Sequence, residues 1–174
     1  MMALPRPEPG PGELLVRVRA AGVNPIDYKI RDGAVKVLLP FSFPLILGTD
    51  VAGDAAAVGP GVTRFVVGDA VYSRLDNDHI GAFAEYAVVR ESAAAQKPAR
   101  LDYAEAASLP LVGLTAWQAL IDLAQLRAGQ KVLIHAGSGG VGTFAIQLAK
   151  HLGAQVTTTA SARNHALVKS LGAE

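Results

Sequence analysis

Gly137, Gly139 and Gly142 stand in the spacing G-x-G-x-x-G, with Ser138, Gly140 and Val141 between them. That spacing suits the binding of a pyrophosphate by backbone N–H groups at the start of a helix. The unpaired donors and the positive end of the helix dipole there face the anion. Gly137 is expected to permit a tight turn, Gly139 to let the backbone approach the phosphates, and Gly142 to let the helix pack closely on the strand before it. The flanks agree. Val132 to Ala136 is a short apolar run of the kind a buried parallel strand shows. After the glycines, Val141, Phe144, Ala145, Leu148, Ala149 and Leu152 follow helical spacing. Strand, glycine turn and helix in succession are the context a dinucleotide-binding motif requires.

The choice of dinucleotide is written further on. An NAD site places an acid about twenty residues later, at the end of the second strand, to bind the ribose 2′-hydroxyl. Here the second strand, Gln155 to Ala160, runs into Ser161-Ala162-Arg163-Asn164 with no acid. Ser161 and Arg163 can bind a 2′-phosphate, which an acid would repel. NADPH is therefore the expected cofactor; the alternative for Arg163 is a plain surface charge.

These residues need a scaffold, and 174 residues allow one large domain or two small ones. Hydrophobic content of 51% and charged content of 18% describe a globular chain with a sizeable core. A net charge of +1 gives no electrostatic reason to expect nucleic acid or a membrane surface as partner. No apolar run reaches the roughly 18 residues of a membrane span, and the N-terminus lacks the apolar stretch of a signal peptide. Cysteine is absent, which removes disulfides, a thiolate nucleophile and cysteine-based zinc sites together.

Ahead of the motif the pattern is β-rich. Val16, Val18 and Ala20 alternate with Arg17 and Arg19, as in a half-buried antiparallel strand from Glu13. Asn24-Pro25 reads as a turn. Further strands are expected over Pro44 to Leu47, Val51 to Val58, Asp69 to Ser73 and Ala82 to Val89, together a compact, barrel-like domain. Asp76 to Ile80 is a polar loop, where His79 has no second ligand at metal-binding spacing. Tyr103 to Ser108 is a short helix. Leu114, Trp117, Ile121 and Ala124 mark a longer one, with Trp117 in the core. His135 is expected to be packed with a satisfied ring nitrogen, and Gln147 and Lys150 to pack or lie at the surface. Asn164 to Leu171 is helical with Gly172 as its C-cap. A doubly wound dinucleotide fold needs two βαβαβ halves, and only βαβα follows Lys131, so the chain reads as a piece of a longer enzyme.

Four stretches carry a family resemblance: AGVNPIDYKIRDG from Ala21, GTDVAG from Gly48, LPLVGLTAWQAL from Leu109, and GQKVLIHAGSGGVGTFAIQLAK from Gly129. In this order they resemble the zinc-free quinone oxidoreductase branch of the medium-chain dehydrogenase/reductase superfamily, the branch that includes zeta-crystallin. The resemblance implies an α/β protein with a β-rich part. Residues 1–113 would form a GroES-like catalytic domain, and 114–174 the first part of an incomplete Rossmann-type NADPH-binding domain. It implies NADPH-dependent reduction of a quinone or an α,β-unsaturated carbonyl. A homodimer of the full-length parent and a cytoplasmic location, with which the absence of cysteine is compatible, are also expected. An enoyl-reductase domain of a polyketide synthase, or a catalytically silent NADPH-binding protein, are the alternatives. The family's first β-hairpin and its C-terminal return are missing, so the chain is expected to be clipped at both ends.

In zinc-dependent relatives the positions of Asn24 and Thr49 carry a cysteine and a histidine that bind the metal, so no metal is expected here. Charge developing on the substrate oxygen then needs hydrogen-bond donors, one of which can be worth ~3 kcal/mol. The resemblance puts the loop Asn24 to Lys29 in the cleft, with Asn24, Tyr28 and Lys29 as donors. Lys29 would also protonate an enolate if burial lowered its pKa. The alternatives are that Asn24 only forms a turn and Lys29 is only a solvated charge. Asp27 is expected to hold the loop by an Asx-type bond. Thr115 matches a position beside the nicotinamide ring, or caps a helix.

Overall fold

Strand β1 (Glu13–Gly22) is the longest strand of the first of two units that divide the chain, one ending at Leu111 and one running from Val112 to Glu174. The computed structural model describes residues 3–174. Around β1 the strands β2 (Asp50–Val58), β3 (Ala70–Arg74), β4 (Tyr86–Arg90) and β5 (Ala94–Gln96) form an antiparallel sheet in the order β4-β1-β2-β3-β5. The β1–β2 register shifts twice, between Leu15 and Val16 and between Val18 and Ala20. Shifts of this kind bend a strand and curl the sheet into a half-barrel. One sheet face packs Leu14, Val16, Val51, Phe65, Val71, Leu75 and Val89 into a core. Ala106 and Ala107 of α2 (Tyr103–Ala107) cover Ala52 on another cluster, where small side chains allow close approach.

One expected strand, Pro44 to Leu47, is absent, and the strand expected from Ala82 begins only at Tyr86, as β4. Pro44 to Leu47 and Ala82 to Glu85 lie outside any strand. They meet each other irregularly: the Phe83 N–H donates to the Leu47 carbonyl at 2.9 Å, and the Gly81 and Ala82 N–H groups donate to Gly48 at 2.9 and 3.1 Å. The two segments are thereby joined without a regular ladder. Asn24-Pro25 does turn the chain, but into helix α1 (Pro25–Arg31), with Asn24 as N-cap and Pro25 in the first turn. Proline's missing N–H is harmless there.

In the second unit, α3 (Pro110–Trp117) leads into a π-helical turn, Gln118–Leu123, marked by the Ala124 N–H donating to the Ala119 carbonyl five residues back. Strands β6 (Lys131–Ile134) and β7 (Gln155–Thr158) pair in parallel across α4 (Gly140–His151), and α5 (His165–Ser170) follows. Gly172 takes φ of 111° just beyond α5, as a C-cap requires. Ala116, Leu120, Ala145, Ile146, Ala149, Val156 and Val168 form this unit's core. Trp117 is not in it: the side chain is 50% exposed, because the face α3 buries is centred on Ala116.

Candidate functional site

Each unit holds part of the predicted machinery. In the first, β1 ends at Gly22 and delivers Asn24 to the start of α1, where only 8% of it is exposed. Its backbone N–H donates to Asp27 Oδ2 at 2.7 Å, the loop-holding bond expected of Asp27. Its side-chain Nδ2 donates to Asp50 Oδ2 at 2.9 Å, and the Leu111 N–H donates to that same oxygen at 3.2 Å. Asp50, the first residue of β2, is 1% exposed. Burial pushes its carboxyl above the ordinary carboxylate range; the bonds from Asn24 and Leu111 and the charge of Arg74 pull the other way. Asp50 Oδ1, Asp27 Oδ1 and Thr49 Oγ1 are buried here with no hydrogen-bond partner.

The other two candidates of this unit lie apart from that cluster. Tyr28 and Lys29 are on the exposed side of α1, whereas Asp27 and Ile30 face inward. The burial invoked for Lys29 is therefore absent from this unit. Asp50 itself escaped the sequence reading, and its only signal was an acid set between the apolar runs of Ile46-Leu47 and Val51-Ala52. His79 belongs to an exposed ionic cluster in which Arg90 binds Asp76 and Asp78 at 3.0 and 2.6 Å. No group of His, Cys, Asp and Glu suited to a metal occurs among the described residues.

In the second unit the glycine turn sits between β6 and α4. The residue that turns is Ala136, at φ 54°, rather than Gly137, which has an ordinary φ. Gly137 is required for another reason: a Cβ there would lie 2.1 Å from Thr158 Oγ1. Its N–H donates to the Thr159 carbonyl at 2.9 Å, and the Ala136 N–H donates to Thr159 Oγ1 at 3.1 Å. Gly142 does pack closely, since a Cβ would fall 2.4 Å from the Ala136 carbonyl oxygen. At Gly139 the nearest atom to such a Cβ is 3.3 Å away. No side chain caps α4 at Gly139, so the first-turn N–H groups around exposed Gly140 and Val141 are not answered by a capping side chain. The donor set fits a pyrophosphate.

Past β7, Ser161 and Arg163 are both exposed, Arg163 within a 3₁₀ turn, Ala162–Asn164. Between them and the glycine turn stands a residue the sequence reading left without a role. Asn164 Nδ2 donates to Ser138 Oγ at 3.0 Å and to Ser161 Oγ at 3.3 Å. Thr115 is exposed in the interior of α3, so it is not an N-cap. His135 is exposed rather than packed, with Nδ1 3.1 Å from Thr159 Oγ1. Gln147 donates to the Thr143 carbonyl at 3.0 Å, and Lys150 is at the surface.

Comparison with known proteins adds the following. Residues 10–99 match the family model described as the alcohol dehydrogenase GroES-like domain. The chain is 46% identical over 173 residues to a quinone-oxidoreductase homolog, chloroplastic, of Spinacia oleracea, covering 97% of this chain and 53% of that protein. A crystal structure of an alcohol dehydrogenase superfamily protein from Novosphingobium aromaticivorans superposes with TM-score 0.95 at 45% identity, covering 99% of this chain and 52% of the other. A mycobacterial protein complexed with NADPH superposes with TM-score 0.88 at 40% identity, covering 99% and 51%. The chain thus spans about half the length of the curated relatives it matches.

Proposed function

This chain belongs to the alcohol dehydrogenase GroES-like family of the medium-chain dehydrogenase/reductase superfamily, and we propose that it serves hydride transfer from NADPH to a quinone or an α,β-unsaturated carbonyl, without zinc. The observation that carries the cofactor half is the uncapped start of α4 behind a glycine turn, followed by an acid-free end of β7 bearing Ser161 and Arg163. Gly140 and Val141 would hold the pyrophosphate through their backbone N–H groups, Gly139 would leave room for it while its own N–H stays on the Ala136 carbonyl, and Ser161 with Arg163 would hold the 2′-phosphate. The nicotinamide supplies the hydride when bound. A quinone acceptor is supported by the quinone-oxidoreductase name of the spinach relative.

By the family resemblance Asn24 and Thr49 take the places of the cysteine and histidine that bind zinc in zinc-dependent relatives, and the chain has no cysteine; both support a metal-free site. Asn24 has two amide hydrogens, and Asp50 fixes one. The other is the donor for a developing oxyanion, held in place before the reaction begins. Tyr28 and Lys29 provide further donors from the exposed side of α1. Homodimeric assembly of the full-length protein is a further proposal resting on family resemblance, and a cytoplasmic location is proposed beside it.

Titration with NADPH and NADH tests the cofactor reading. NADPH should bind tighter, and Arg163→Ala should weaken NADPH much more than NADH, because only NADPH has the phosphate to lose. Equal affinities of the native chain would refute it.

A further inference from the structure

We propose that Asn164 is a positioning residue that turns the hydroxyls of Ser138 and Ser161 toward the phosphates of NADPH, linking the pyrophosphate turn to the 2′-phosphate end. The inference rests on the cofactor reading above and deepens it. Asn164 Nδ2 reaches Ser138 Oγ at 3.0 Å and Ser161 Oγ at 3.3 Å. An amide nitrogen only donates, so both serine oxygens act as acceptors toward it. Each serine has a single hydroxyl hydrogen, and that hydrogen is then directed away from Asn164. It becomes available to an acceptor on the outer side of the turn.

The arrangement joins two places far apart in sequence. Ser138 lies inside the glycine turn, and Ser161 opens the 3₁₀ turn that carries Arg163. Asn164 is itself fixed, since its backbone N–H donates to the Ser161 carbonyl at 2.8 Å. An amide of the reverse sense, with Oδ1 toward the serines, would draw both hydrogens inward and present lone pairs to the phosphates. A carboxylate at this position would do the same and add charge repulsion. The sense of one side chain therefore decides whether two hydroxyls attract or repel the same cofactor. Because only one of them serves the 2′-phosphate, losing Asn164 should cost NADPH more than NADH.

The test is calorimetric titration of the full chain with NADPH, NADH and 2′,5′-ADP, in the native form and as Asn164→Leu and Asn164→Asp. Loss of a hydrogen bond to a charged group is worth about tenfold or more in affinity. Asn164→Leu should weaken NADPH and 2′,5′-ADP by about tenfold or more, NADH by less, and Asn164→Asp should weaken NADPH further still. A double-mutant cycle separates positioning from general damage. In a Ser138→Ala/Ser161→Ala background, Asn164→Leu should have little further effect. Unchanged NADPH affinity in Asn164→Leu, equal loss for NADPH and NADH, or a full Asn164 effect without the serines would each overturn the inference. If the native chain bound neither dinucleotide, the cofactor reading would fall first, and this inference with it.

Discussion

Asn24 donates its side-chain amide to the Asp50 carboxylate across 2.9 Å, with both residues less than a tenth exposed. The pair ties the start of α1 to the start of β2, so a candidate substrate donor is anchored by an acid that the solvent barely touches. Burying a carboxylate is costly unless its oxygens are answered, and here one of the two has no partner. The cluster has the character of a site held ready at some expense in stability.

That expense has a pH signature. Burial raises the folded-state pKa of Asp50 above its unfolded value. The folded state therefore holds the proton more firmly, and stability falls as pH rises from the ordinary carboxylate pKa through the raised one. Asp50→Asn removes that descent. Urea midpoints between pH 4 and 8 should show the difference, variant minus native, growing in the variant's favour as pH rises. A difference that stays constant with pH would contradict the assignment.

Tyr103 and Asp54 make the opposite case. The Tyr103 hydroxyl donates to Asp54 Oδ1, and this bond first, with Arg17 and Arg19 beside it, holds the Asp54 carboxyl below the ordinary range. A lowered folded pKa adds stability that is present above the unfolded pKa and is lost as pH falls through the folded one. Tyr103→Phe should cost about 0.5–1 kcal/mol near pH 7, the modest value of a bond at a partly solvated carboxylate. The cost should shrink toward pH 3. Denaturant titrations of both proteins at the two pH values check it.

The glycine turn allows packing and ligand approach to be separated. Gly142→Ala would press a methyl to 2.4 Å from the Ala136 carbonyl oxygen, which is backbone and cannot swing aside. Overpacking of that kind should cost about 1–3 kcal/mol or more. At Gly139 the nearest atom is 3.3 Å away and φ is −82°, so Gly139→Ala should change the melting temperature little. It should nevertheless weaken NADPH by about tenfold or more, because the methyl stands where the phosphates approach. Melting curves and titration of the two variants side by side give the answer; similar effects of both on stability would show the distinction to be wrong.

Much of this was legible before any coordinates. The alternation Val16, Val18, Ala20 marks β1, and the change from an apolar run to helical spacing across Gly137 to Gly142 marks β6 and α4. Hidden features arise where backbone geometry departs from a simple period. The π-helical turn at Gln118–Leu123 carries one extra residue per turn, which a search for i, i+3, i+7 spacing around Trp117 cannot register. The positive φ at Ala136 has no residue-type signal, because alanine rarely adopts it. Asp50 stands in the stretch GTDVAG and Asn164 just after Arg163, but their roles depend on partners 26 positions away in each case. Local pattern reading supplies the elements; contacts of that range come only from their packing.

The last prediction concerns Lys29 and distinguishes two substrate classes in the whole protein. Hydride added to an enone leaves an enolate, whose completion needs a proton on carbon. Hydride added to a quinone leaves a hydroquinone anion, which takes its proton on oxygen and can obtain it from water. Lys29 is exposed on α1, on a different side from the Asn24 cluster, so its ammonium is open to a substrate as a proton donor. A general acid of this kind contributes about 10²-fold or more to a step that needs it. Lys29→Met should therefore lower kcat for an enone by roughly that factor while leaving quinone reduction within about threefold of native. Cofactor affinity should not change in either case. Steady-state kinetics with one enone and one quinone decide it: equal losses on both would make Lys29 a binding or structural residue, and no loss on either would remove it from the mechanism.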